Sequence, residues 1–275
     1  MFHGSFVALL TPFRDGAVDA AALDDLCRFH LENGTQGVVP LGTTGESPTL
    51  DDGERALVLK TVVARCRGKL PVVAGTGTND TRKSISLTRQ AKEVGADAAL
   101  LVTPYYNKPT QEGMFRHFEA IARQGGLPAV LYNIPGRSAA GLTAETIARL
   151  AGVPGIVAVK ESTGNVEMVT QIRALCDLAI LSGDDSLTLP IMALGGVGVI
   201  SVLANILPRE TAGLCALVRS GAFAEARAAH EKLFPLMKAI FIETNPIPVK
   251  TAMKLLGRGN GELRLPMCGM APANE

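Results

Sequence analysis

Short, almost uniformly apolar runs rich in Val, Ile, Leu and Ala recur along the chain, each closed by Gly, Pro, Thr or Asn. They fall at residues 5–13, 37–42, 71–77, 98–106, 129–135, 156–161, 178–183 and 197–204. Runs of this length without polar alternation read as strands buried on both faces, as in a parallel sheet. Between them, apolar positions repeat with the helical period. Residues 19–33 put Leu23, Leu26, Cys27 and His30 on one face, and residues 51–67 do the same with Leu57, Val58 and Val62. Further helices are predicted over 81–94, 111–123, 144–150, 166–175, 187–194 and 208–220.

Eight strands, each followed by a helix, predict an α/β fold of the (β/α)8 TIM-barrel type rather than an open doubly wound sheet. After Gly221 the alternation stops, and 222–241 and 249–256 read as two more helices. The expected organisation is a barrel over 1–221 and a small C-terminal helical appendage over 222–275.

In such a barrel, chemistry gathers at the carboxyl ends of the strands. The sixth run ends in Lys160, after Gly155-Ile156-Val157-Ala158-Val159. An ammonium there loses hydration, which frees its amine to attack a carbonyl carbon and form a Schiff base. Taken alone, a solvated lysine that merely ends the strand is the simpler reading, and the rest of the chain reverses it. The second run ends in Gly42-Thr43-Thr44-Gly45-Glu46-Ser47, whose backbone N–H groups and two hydroxyls suit a carboxylate or phosphate. The fourth ends in Thr103-Pro104-Tyr105-Tyr106-Asn107, the fifth in Tyr132-Asn133-Ile134-Pro135-Gly136-Arg137. All three tyrosines of the chain, with one arginine suited to a substrate carboxylate, are thus expected at the lysine's end of the barrel.

Other motifs carry less. Gly195-Gly196-Val197-Gly198 reads as a tight turn more than a phosphate loop, and Asp184-Asp185 as a helix N-cap more than a magnesium site. The four histidines are too scattered for a metal centre, and none is expected.

Composition narrows the classes. Of 275 residues, 47% are hydrophobic and 19% charged, enough for a large core and against extensive disorder. The net charge of +1 and the lack of basic blocks speak against nucleic acid or an anionic membrane as partner. The five cysteines, odd in number and widely spaced, read as reduced thiols. With no signal-peptide pattern after Met1 and no run long enough to cross a bilayer, a cytoplasmic protein is expected.

The strand-end motifs, with Val159-Lys160-Glu161-Ser162-Thr163-Gly164-Asn165 and Asn245-Pro246-Ile247-Pro248-Val249-Lys250, resemble the dihydrodipicolinate synthase family of pyruvate-dependent class I aldolases. The likeness runs from Phe2 to Met267. It implies condensation of pyruvate with aspartate 4-semialdehyde through a covalent imine on Lys160, without a cofactor. It also implies that Tyr132 shuttles protons in a relay with Thr43 and Tyr106, the last coming from a partner chain in a homo-oligomer, either a dimer or a dimer of dimers. Thr44 would hold the pyruvate carboxylate and Arg137 that of the semialdehyde, with the backbone of Gly183 and Ile200 lining the site. Sugar-acid aldolases of the same family usually lack this arginine. A non-catalytic keto-acid-binding barrel would have dispensed with some of Lys160, Tyr132, Thr43 and Tyr106.

The resemblance also has departures. Ser47, Asn79 and Tyr105 match a cleft where many relatives bind lysine as a feedback inhibitor. Asp52 and Arg55 stand where lysine-sensitive members carry histidines, and Lys83 where they carry glutamate. A like charge against the ligand's amine predicts weak or absent lysine inhibition. Relatives usually continue past Arg264-Leu265-Pro266-Met267 into another helix, so the appendage is expected to be shortened.

Overall fold

The computed structural model describes residues 2–275. Its centre is a sheet of eight parallel strands: β1 (Gly4–Ala8), β2 (Gly37–Val39), β3 (Val73–Gly75), β4 (Ala98–Val102), β5 (Ala129–Asn133), β6 (Ile156–Glu161), β7 (Ala179–Ser182) and β8 (Gly198–Ser201). They run in the order β2-β1-β8-β7-β6-β5-β4-β3. The remaining seam, between β2 and β3, is closed by a parallel bridge from Val38 to Val72 and by the Gly75 N–H donating to the Pro40 carbonyl at 2.9 Å. The sheet is therefore a (β/α)8 barrel.

Every strand except β7 opens on a buried residue, and most are buried throughout. That is why their sequences show no alternation. Phe6, Leu101, Leu131, Val159 and Val199 are each fully buried or nearly so. Where β1 meets β8 the backbones touch: a Cβ on Gly198 would lie 2.0 Å from the Gly4 carbonyl oxygen.

The helices begin where polar caps hold them. Asp51 and Glu54 form a reciprocal capping box at the start of α2 (Asp52–Cys66). Asp19, Asp80, Thr110 and Thr143 cap α1 (Ala20–Glu32), α3 (Thr81–Val94), α4 (Gln111–Gly125) and α6 (Ala144–Ala151). A single helical turn, α5 (Pro135–Ser138), sits between α4 and α6; α7 (Glu167–Leu175), α8 (Thr188–Ala193) and α9 (Pro208–Arg219) complete the ring. In α1 the predicted face of Leu23, Leu26, Cys27 and His30 is the buried one. In α2 the prediction needs correction. Leu57 is 42% exposed, and the buried stripe is Val58, Leu59, Val62, Val63 and Cys66. Leu57 lies about 100° round the helix from Val58, beyond that stripe.

Beyond the ring come α10 (Phe223–Ala239) and α11 (Ile247–Leu255), followed by an irregular segment. This segment returns across the barrel mouth. Arg264 donates to the carbonyls of Thr49 and Gly16 and pairs with Glu54.

Candidate active site

The parallel register sets the centre of the site. Tyr132 on β5 and Lys160 on β6 are paired across the strands. Successive side chains alternate, so this pair faces one side and the next pair, Asn133 and Glu161, the other. The second pair is locked: Asn133 Nδ2 donates to Glu161 Oε2 at 3.0 Å, and the Thr163 N–H donates to Oε1 at 2.7 Å. Burial nevertheless pushes the Glu161 carboxyl above its usual range. The first pair borders a cleft, with Lys160 Nζ 3.9 Å from the centroid of the Tyr132 ring and Lys160 only 5% exposed. The strand-end lysine is thus a buried one.

Thr43, Thr44, Arg137, Gly183 and Ile200 line the same cleft as Lys160 and Tyr132. Seven of the predicted site residues therefore meet in one place. Gly183 is there because nothing larger fits: a Cβ would lie 1.8 Å from Ser162 Oγ and 2.9 Å from Lys160 Cε.

The loop after β2 is wound tightly. The Gly42 carbonyl accepts from the N–H groups of Gly45 and Ser47, and that of Thr43 from Glu46. Glu46 takes a left-handed conformation, φ 52°, unusual for a residue with a side chain. Its carboxylate turns inward to a buried ion pair with Lys250 and also accepts from the Arg264 N–H at 3.1 Å.

Tyr106 is not with the others. It is 89% exposed with φ 71°, and the Lys160 cleft does not include it. Instead a second cavity of about 370 Å³ opens beside Thr43 and Arg137, lined also by Ser47, Leu50, Arg55, Lys83 and Tyr105. Asn79 stands at its edge, donating to the Tyr105 carbonyl at 3.3 Å. Asp52, in the first turn of α2, is exposed.

The N-cap reading of Asp184-Asp185 is overturned. The Asp184 carboxylate makes no capping bond; it lines the Lys160 cleft, where burial pushes its carboxyl up and Lys160 pulls the other way. Asp185 is fully buried and accepts from Ser201 Oγ and the N–H groups of Val202 and Leu203, tying β7 to the exit of β8. Gly195 and Gly196 form the turn into β8, a Cβ on Gly196 meeting the Ile191 carbonyl oxygen at 2.8 Å. Among the described residues no cluster of three or more His, Cys, Asp or Glu side chains is placed to hold a metal, and no helix is long and apolar enough to cross a membrane.

Asn245, at the head of the Asn245-Pro246-Ile247-Pro248 motif, is a site residue beyond those the strand ends supply. It lines the cleft, its Nδ2 donates to Thr44 Oγ1 at 3.0 Å, and its backbone carbonyl accepts from Arg137 Nη2 at 3.2 Å. Only the amide beside two prolines could have signalled it.

The chain as a whole is similar to known proteins. Residues 1–274 match the profile of the dihydrodipicolinate synthetase family. The chain belongs to that family. It is 51% identical to the 4-hydroxy-tetrahydrodipicolinate synthase of Citrifermentans bemidjiense over 100% of this chain and 95% of that one. The crystal structure of dihydrodipicolinate synthase from Aquifex aeolicus superposes with a TM-score of 0.98 at 49% identity, covering 99% of this chain and 94% of that one. The chloride-inhibited dihydrodipicolinate synthase from Acinetobacter baumannii, solved with pyruvate, gives a TM-score of 0.97 at 44% identity, covering 100% and 95%.

Proposed function

We propose that this chain condenses pyruvate with L-aspartate 4-semialdehyde through a lysine Schiff base, giving 4-hydroxy-tetrahydrodipicolinate in lysine and diaminopimelate biosynthesis. The observation that carries this reading is Lys160, buried against the Tyr132 ring in a cleft that also holds Thr44 and Arg137. Membership of the family supports it.

Lys160 attacks the pyruvate ketone, and loss of water gives an imine. The protonated imine is an electron sink, so a methyl proton leaves and an enamine forms. Its terminal carbon attacks the aldehyde carbon. The acceptor's own amine then adds to the imine carbon, closes the ring and releases Lys160. Thr44 and the neighbouring N–H groups take the pyruvate carboxylate. Arg137, at the rim, takes that of the semialdehyde as a paired guanidinium–carboxylate contact. A polyhydroxylated sugar acid would meet an unpaired cation there, which disfavours the sugar-acid alternative.

Tyr132 and Thr43 move protons with Tyr106 of a second copy. In support, Tyr106 is exposed with strained backbone, and the 370 Å³ cavity beside Thr43 has room and apolar walls for an aromatic ring. The active form is accordingly a homo-oligomer, with Tyr106 exchanged between two copies. The scheme calls for no cofactor, and a cytoplasmic setting goes with it.

Borohydride reduction in the presence of pyruvate, followed by peptide mass mapping, tests the reading. The adduct is expected on Lys160; an unmodified Lys160 under saturating pyruvate would end the Schiff-base mechanism.

A further inference from the structure

The cleft holds one side chain whose hydrogen-bonding capacity is half used. Asn245 is 4% exposed, donates from Nδ2 to Thr44 Oγ1 at 3.0 Å, and leaves Oδ1 buried without a partner. A threonine hydroxyl has one proton and two lone pairs. When a lone pair takes an amide hydrogen, the hydroxyl's own proton is left for another acceptor, and the bond it then makes is strengthened by polarisation.

We propose that Asn245 is a positioning residue for the substrate carboxylate, acting through Thr44: its amide turns the Thr44 hydroxyl into a committed donor facing the cleft. This rests on the pyruvate reading above. The same residue's backbone carbonyl accepts from Arg137 Nη2 at 3.2 Å, so one short segment aligns the carboxylate-binding groups for both substrates. The segment is itself anchored. Four residues after Pro246, Lys250 enters the buried pair with Glu46, two residues beyond Thr44 on the same loop, and donates to the Glu262 carbonyl at 2.8 Å.

Asn245→Asp replaces the donor by an acceptor of the same shape. The Thr44 proton is then captured by the new carboxylate, which also repels pyruvate's. The readout is the pyruvate concentration giving half-maximal borohydride-trapped adduct on Lys160, measured on the full-length protein with circular dichroism as a check on folding. Asn245→Asp is expected to raise it about tenfold or more, the loss of one charge-assisted hydrogen bond. Thr44→Val is expected to raise it similarly, and the uncharged double variant Asn245→Ala/Thr44→Val to lie within about twofold of Thr44→Val alone, because both act on one hydroxyl. If Asn245→Asp does not fold, Asn245→Ala decides: a smaller rise, about threefold, that disappears in the Thr44→Val background.

A half-saturation unchanged within twofold, or effects of the two sites that multiply, overturns the proposal and leaves the pyruvate reading standing. Absence of any adduct in the parent protein overturns both.

Discussion

Two hollows share Thr43 and Arg137 at the barrel mouth, and they are built differently. The Lys160 cleft draws on strand ends, where sheet register fixes each side chain, and its central residues are buried. The second cavity draws on loops and the first turns of helices, and Lys83 and Tyr105 on its wall are exposed. In the first hollow Lys160, Thr44 and Arg137 stand where the proposed chemistry uses them. In the second, the one deeply placed cation is already engaged: Arg55 donates to the backbone carbonyls of Ser47 at 3.2 Å and Gly75 at 2.8 Å. A rigid strand-end site supports catalysis, while a loop-built one is free to drift.

Replacing Lys160 by Ala should show the contrast most strongly. We expect kcat to fall by at least about 10³-fold, since no other group in the cleft offers a nucleophilic amine, with folding little changed. A steady-state assay with pyruvate and the semialdehyde checks this. An Arg55→Ala protein assayed alongside should retain activity within about tenfold, since Arg55 holds the backbone carbonyls of Ser47 and Gly75 and touches no reacting group.

The loop between the hollows is held from beneath, so its support should matter to both. Lys250→Met leaves the Glu46 carboxylate buried and unpaired. Breaking such a pair costs about 3–5 kcal/mol, while Glu46→Gln/Lys250→Met should recover much of that. Urea unfolding of parent, single and double variants measures both quantities. A single variant as stable as the parent would mean that the pair does not hold the loop.

Acid should weaken the helical shell, including α3, whose first turns line the second cavity. His117 on α4 meets Thr81 on α3 at 2.9 Å, and His30 on α1 meets Thr35 at 3.0 Å. Burial, the main cause in each, holds both imidazoles down at about 4 from an ordinary 6.5. Between pH 6.5 and 4 the unfolded chain therefore binds the extra protons, and stability falls as pH falls through that window. The loss is about 3 kcal/mol per histidine across the full window. His117→Gln should flatten the dependence of unfolding free energy on pH, and an unchanged slope would assign the acid loss elsewhere.

The barrel was legible because burial on both faces writes a strand as an unbroken apolar run, and caps such as Asp51 and Asp80 mark helix starts. Boundaries ran long for the same reason. Residues after Ala8 remain apolar and buried, yet they leave the sheet, Leu10 giving its N–H to the Asn205 side chain. Of the cleft, the side chains at strand ends could be read from sequence, since strand order and register bring them together. Asn245 could not, because its contact with Thr44 spans 201 residues and comes from beyond the repeating units. Asp184 and Asp185 were misread because an N-cap looks identical in sequence to a carboxylate turned into a cleft or toward a neighbouring strand.

The smallest expected effect is the response to free lysine, and it tests the second hollow directly. A bound lysine presents an ammonium on its side chain and another on its α-carbon. The cavity meets these with Lys83 and Arg55, both cationic, and none of its lining residues is an Asp or Glu. Burial depresses the Arg55 pKa and Asp52 partly restores it, yet Asp52 lies on the exposed first turn of α2, outside the cavity wall. Desolvating an ammonium against like charge without an acidic partner is unfavourable. Titration calorimetry should accordingly give a Kd for lysine weaker than about 1 mM, and the initial rate should barely respond over the same range. Lys83→Glu, which removes one cation and supplies a carboxylate, should tighten it. Strong inhibition of the parent protein at micromolar lysine would show instead that the second hollow is as well built as the first.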